Sequence, residues 1–191
     1  MTTRLHLLCS ASTSSVSSIA FGGNEPLDPR GRQSLANLSG RLPPCDIATR
    51  SPALCAAQTA EGLGLNARTE SLLRDCDFGR WAGRSLAHVQ AEAPEAVIEW
   101  LRDPRAAPHG GESFADVMTR VGEWMDDLLA GQCSILAITH SIVIRAAIAH
   151  TLGAGPEAFR NIDVAPLTRA KLSGGGGRWT LAALVPLRDE R

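Results

Sequence analysis

The chain has 191 residues, 44% of them apolar and 20% charged, with a net charge of −1 at pH 7. This composition reads as one globular domain over residues 1–191, large enough to bury a core, and excludes disorder. The charge balance supplies no basic field for nucleic acid or an anionic membrane, no apolar run reads as a span or a signal peptide, and five cysteines without Cys-x-x-Cys spacing read as reduced thiols of a cytoplasmic protein.

Residues 4–8 read as a short buried strand that runs into a small, polar loop over 9–18. Residues 22–30 are rich in Gly, Pro and Asp and read as loop. Asp28-Pro29 then reads as a helix cap with proline at the first helical position, and Leu35, Leu38 and Leu42 follow at helical spacing. A second strand is expected over 46–49. Ser51-Pro52 starts an Ala-rich helix through residue 63, and a third strand is expected over 67–73. Residues 77–83 read as loop, and 95–102 as a short helix closed by Pro104. Ser113, with Asp116 three residues on, caps a long helix whose apolar face is Val117, Val121, Trp124 and Leu128. Residues 134–139 are the clearest buried strand. They turn through His140-Ser141 into a helix over 142–152, and the chain closes with a hairpin built from 162–172 and 179–185. Strands alternating with helices argue an α/β fold with a mostly parallel central sheet covered on both faces, and such sheets bind ligands beyond the carboxyl ends of their strands. Two strand ends therefore stand out, Leu8 into Cys9-Ser10-Ala11 and Thr139 into His140-Ser141.

Four stretches, in this order, carry a family resemblance: SPALCAAQTA at 51–60, LRDCDFGRWAG at 73–83, PHGGESFADV at 108–117 and ILAITHSIVIRA at 135–146. Together they resemble the histidine phosphatase superfamily, the phosphoglycerate mutase-like proteins. The segment around Asp75 is nearest to α-ribazole phosphatase-type members. The resemblance implies a three-layer α/β/α sandwich. It also exposes departures. The family's first strand ends in Arg-His-Gly, whose histidine takes the phosphoryl group; here that place reads Cys9-Ser10-Ala11. A second phosphate-binding arginine falls on Cys55, an asparagine that often contacts phosphate falls on Val16, and the general-acid glutamate falls on Asp75. The family's second histidine is retained as His140.

Carried over residue by residue, the resemblance makes Ser10 the nucleophile position, His140 and Asp75 its catalytic partners, and Cys9, Cys55, Ser51, Glu112, Ser113 and Ser141 the candidate substrate contacts. Phosphoryl transfer depends on positive charge and positioning around the transferring oxygens. Thiols in place of two guanidinium groups remove that charge. The resulting expectation is a catalytically degenerate member retained for ligand binding or regulation, with a small phosphorylated or anionic ligand and no cofactor. Arg50 and Arg74, each next in sequence to a pocket position, are the candidates for restoring charge, whereas Arg145 is expected to face the neighbouring helix or solvent. Ser10 reads as a loop hydroxyl capping nearby backbone, and Phe78, Trp81, Trp100 and Trp124 read as core or pocket wall. Two alternatives stay open. One is an active but atypical phosphomonoesterase using Ser10 or His140; the other is a metal-binding derivative using Cys9, Cys55, His140 and Asp75.

Overall fold

The computed structural model describes residues 2–36, 38 and 42–187. One six-stranded sheet forms its middle layer. The strands are β1 (Thr3–Cys9), β2 (Ile47–Arg50), β3 (Arg68–Thr69), β4 (Ser134–Thr139), β5 (Thr168–Gly175) and β6 (Arg178–Pro186). Their spatial order is β3-β2-β4-β1-β5-β6. The pairs β3–β2, β2–β4 and β4–β1 are parallel, while β5 runs antiparallel to both β1 and β6. The sheet is therefore mostly parallel, as the alternating pattern of the sequence implies.

The central strands show why parallel sheets are apolar on both faces. Along β1, Leu5, Leu7 and Cys9 point to one side, and along β4 so do Ile135 and Ala137. Leu8, Leu136 and Ile138 point to the other. The first face is covered by α6 (Phe114–Leu128) and α7 (Ser141–Thr151), through Val117, Val121, Met125, Val143 and Ala147. The second is covered by α2 (Pro29–Ala36) and α3 (Leu54–Gly62), through Leu35, Ala56 and Ala60. Each fully buried leucine or isoleucine in these layers contributes about 2 kcal/mol. These faces make the three-layer sandwich.

A third, smaller cluster lies beyond the carboxyl ends of the strands. Phe21 packs its ring against Phe78, Trp81 and Trp100, with centroids 5.3, 5.0 and 5.4 Å away. Val89 of α4 (Leu86–Glu92) and Val97 of α5 (Pro94–Arg102) complete it.

Local chemistry sets several boundaries. Asp28 caps α2 by accepting a hydrogen bond from the Gly31 N–H at 2.6 Å. Gly31 is obligatory there, because a Cβ would sit 2.3 Å from the Ser12 carbonyl oxygen. The expected continuation of this helix to Leu42 runs in part over residues outside the described ones. The Ser113–Asp116 pair forms a full capping box at the start of α6. Elsewhere the structure corrects the reading. The strand expected over 67–73 is only two residues long, because Glu70 accepts a hydrogen bond from the Leu72 N–H and winds residues 71–73 into a 3-10 turn. The polar loop after β1 contains α1 (Ser14–Ser18), and α4, which Ser85 caps through the His88 N–H, stands where no helix is expected.

Candidate functional site

The site is built where β1 and β4 end side by side. Their register pairs Cys9 with Thr139, so the next residues, Ser10 and His140, emerge together. β2 runs alongside β4 with Arg50 opposite Ile138, which brings Ser51 to the same edge. Hydrogen bonds then fix the loops. The Ala11 N–H donates to Thr59 Oγ1 at 3.1 Å, and the same hydroxyl donates to the Cys55 carbonyl at 2.7 Å. This clamps the loop after β1 against the start of α3. Thr139 Oγ1 donates to the Leu73 carbonyl at 2.8 Å, which ties the segment carrying Asp75 to the end of β4.

These constraints open a cavity of about 520 Å³. Cys9, Ser10, Cys55, Asp75, His140 and Ser141 all line it. So do Val16 and two of the residues read as core or pocket wall, Phe78 and Trp100. The other two, Trp81 and Trp124, are core. Ser51 reaches the site indirectly: it is fully buried, and its Oγ lies 2.8 Å from His140 Nε2.

Glu112 and Ser113 do not line the cavity. The carboxylate of Glu112 is taken up by Arg120 at 2.9 Å to each oxygen, by Arg74 at 2.7 Å and by the Asp77 N–H at 3.1 Å. The Ser113 hydroxyl is spent on the cap of α6. Arg120 is buried and also donates to the carbonyls of Leu72 and Arg74 at 2.6 and 3.3 Å, so this corner holds the backbone that leads into Asp75. Nor do Arg50 and Arg74 restore charge to the pocket. Arg50 bonds the Ser51 carbonyl, Arg74 pairs with Glu112, and neither lines the cavity.

The guanidinium group that does line the cavity is that of Arg145, contrary to the expectation that it faces a helix or solvent. It stacks 4.9 Å from the Phe159 ring centroid and lies 3.7 Å from Asp163. Spacing carries the signal for it: Ser141 and Arg145 are one turn apart on α7, so a helix that turns Ser141 into the cavity turns Arg145 there as well. In the aromatic wall, Phe78 and Trp100 are read from the sequence as core or pocket wall, whereas Phe21 and Phe159, from two further segments, had no comparable signal.

The electrostatics follow from these positions. Burial pushes the Cys9 thiol up to about 12, helped by the Asp75 carboxylate, so it is neutral at ordinary pH. Burial alone would pull His140 down, but the Asp75 carboxylate, 3.4 Å from Nδ1, and the neighbouring Cys55 outweigh it and leave His140 raised. Among the described residues, the cavity thus presents one guanidinium and one imidazole against two carboxylates, Asp75 and Asp163.

Ser51, His140 and Asp75 have the connectivity of a nucleophile, base and orienting acid. Yet Ser51 is 0% exposed, and its Oγ also accepts the Ala53 N–H, so it cannot meet a substrate. Ser10 does line the cavity, but its hydroxyl makes no hydrogen bond among the described residues and caps no backbone group. Its would-be base, His140, is bonded to Ser51 instead. Among the described residues, no group of three or more His, Cys, Asp and Glu side chains is placed to hold a metal ion, which leaves the metal-binding alternative without geometric support.

A mostly parallel sheet covered by helices, with a ligand-sized cavity at its strand ends, defines an α/β protein of the open-sheet class. The profile of the histidine phosphatase superfamily (branch 1) matches residues 11–185, so the chain belongs to that family. A bifunctional protein of Mycobacterium tuberculosis is 31% identical over 125 residues, which cover 63% of this chain and 34% of that protein. Glucosyl-3-phosphoglycerate phosphatase of the same organism is 38% identical over 77 residues, covering 40% of this chain and 34% of the relative. The chain thus spans 34% of the length of each of these two relatives. Among solved structures, the native mycobacterial glucosyl-3-phosphoglycerate phosphatase superposes with a TM-score of 0.81 at 26% identity, over 97% of this chain and 100% of that one. That mycobacterial phosphatase has also been solved with VO3 and with inorganic phosphate. An α-ribazole-5'-phosphate phosphatase assigned in Escherichia coli superposes with a TM-score of 0.84 at 25% identity, over 97% of each chain. No helix among the described residues is long and apolar enough to cross a membrane.

Proposed function

We propose that this protein is a catalytically degenerate histidine phosphatase-family domain that binds a small anionic ligand and does not hydrolyse phosphate esters. The charge around the cavity carries the reading. A phosphomonoester brings close to two negative charges, and the family's arginine positions at the strand end and on α3 are Cys9 and Cys55, both buried. Arg145, the one guanidinium that lines the cavity among the described residues, is faced by Asp163 at 3.7 Å, and Asp75 adds a second carboxylate. Loss of a single well-placed donor lowers a rate by about 100-fold or more. Here two donors and the attacking imidazole are replaced together, and such losses do not simply multiply.

The nucleophile position points the same way. An attacking serine needs a base in contact with its hydroxyl, and His140 is engaged by the buried Ser51 rather than by Ser10. The glucosyl-3-phosphoglycerate phosphatase and the α-ribazole-5'-phosphate phosphatase named above carry the names of phosphatases of small phosphorylated compounds, which supports a cavity that has kept a small anionic ligand while losing the power to cleave it. The test is release of nitrophenol from p-nitrophenyl phosphate by the purified native chain. Turnover no greater than that of His140→Ala is the expected result; clear turnover that disappears in His140→Ala would overturn the reading in favour of an atypical phosphomonoesterase.

A further inference from the structure

Arg145 is an unfinished interaction. Its Nε is buried without a hydrogen-bond partner among the described residues. Its ion pair with Asp163 is loose, at 3.7 Å, and the Asp163 side chain is 96% exposed, so water screens that carboxylate and the pair contributes little. The Arg145 side chain itself is only 25% exposed, and burial pulls its pKa below the ordinary arginine value. The stack on Phe159 fixes the guanidinium plane but accepts none of its N–H groups, and Phe159 is held in turn by Phe114, 4.2 Å between centroids. A half-desolvated guanidinium with an unpaired donor is costly. Nε is closed to solvent, so a cavity ligand meets the terminal nitrogens, whose ion pair with Asp163 is the loose one, and a planar acceptor pair carrying one negative charge, the shape of a carboxylate, matches that fork.

The rest of the cavity selects the remainder of the ligand. Phe21, Phe78, Trp100 and Ile142 supply apolar wall, and the volume of about 520 Å³ is that of a small-molecule site. The floor is uncharged, since Cys9 holds its proton. Asp75 is already engaged by the Cys76 N–H at 2.9 Å and by His140 at 3.4 Å, so it is not free to receive a ligand ammonium group. A second negative charge on the ligand would meet the Asp75 carboxylate, and the His140 imidazole beside it is already paired with that carboxylate.

We infer that Arg145 anchors the ligand of this cavity, and that the ligand is a small molecule with an apolar, ring-sized body and a single carboxylate. The inference rests on the binding-domain reading above and narrows its ligand class. Four probes with one aromatic body separate the possibilities by isothermal titration of the native chain: naphthylacetate, its neutral isostere naphthylacetamide, naphthylethylamine and naphthyl phosphate. Naphthylacetate is expected to bind at least about 10-fold more tightly than the amide and the amine, and no more weakly than naphthyl phosphate, the difference expected of one charge-assisted contact. Arg145→Gln, checked for native packing by near-ultraviolet circular dichroism, is expected to bring the acetate down to the affinity of the amide. Equal affinity for acetate and amide, a preference for the amine or the phosphate, no binding of any probe, or a preference that survives in folded Arg145→Gln would each overturn the inference. Release of naphthol from naphthyl phosphate bears on the other question: it would overturn the binding-domain reading whatever the affinities.

Discussion

Two corners of the site have been treated differently. Around Glu112, every charge has a partner: Arg120 and Arg74 share the carboxylate, and Arg120 also holds the carbonyls that lead to Asp75. On the cavity floor, Cys9, Ser10 and Cys55 are small, and the Ser10 hydroxyl has no partner among the described residues. The first corner positions backbone, and the second is where a family member would touch phosphate. A frame held by its own buried hydrogen bonds does not depend on which residues stand at the phosphate-contact positions, and the cavity is kept with the frame.

The largest effect is expected at the frame. Glu112→Ala leaves the buried Arg120 guanidinium unpaired, and breaking such a pair costs about 3 kcal/mol or more. Urea denaturation measures it; a loss under about 1 kcal/mol would mean that this corner does not hold the site together. Ser113→Ala removes only the cap of α6 and is expected to cost about 1 kcal/mol by the same measurement.

Much of this frame is legible in the sequence, because it is made of local signals. The Ser113–Asp116 box, the Asp28-Pro29 helix start and the continuous apolar run of β4 all follow from short-range sequence. The convergence of Cys9, Cys55, Asp75 and His140 on one cavity is implied by the family resemblance, not by spacing, since they lie on separate elements. What escapes is set by tertiary partners. Glu112 reads as a possible substrate contact because Arg120, which consumes it, is eight positions away on the next helix. Arg145 reads as facing the neighbouring helix or solvent because Phe159 and Asp163, which frame it, lie beyond the end of α7. The strand expected over 67–73 is cut short by one side-chain hydrogen bond, from the Leu72 N–H to Glu70.

On the floor, the expected effects are chemical rather than structural. With its thiol pushed up to about 12, Cys9 should resist alkylation at pH 8 in the native protein and react readily once unfolded. Mass spectrometry of the modified peptide tests this, and rapid native labelling would indicate an open, electropositive floor. The smallest effects are in the pH dependence of stability. His140 is raised in the folded state, so its contribution is full below about 6.5 and is lost as the pH rises through its higher folded value. His6 is buried in β1 and lowered to about 4, so its contribution is full above about 6.5 and is lost as the pH falls toward about 4. His140→Gln should flatten the alkaline side of the curve and leave the acid side; a change confined to the acid side would break the assignment.

The most direct test of the whole account puts the missing groups back. In the triple variant Cys9→Arg, Ser10→His and Cys55→Arg, the frame around Glu112, Thr59 and Thr139 is unchanged, and His140 and Asp75 remain in place. The expected result is hydrolysis of p-nitrophenyl phosphate at least about 100-fold faster than by the native chain, the scale of one restored donor. A folded triple variant that gains nothing, or a native chain that already hydrolyses the ester efficiently, would contradict it.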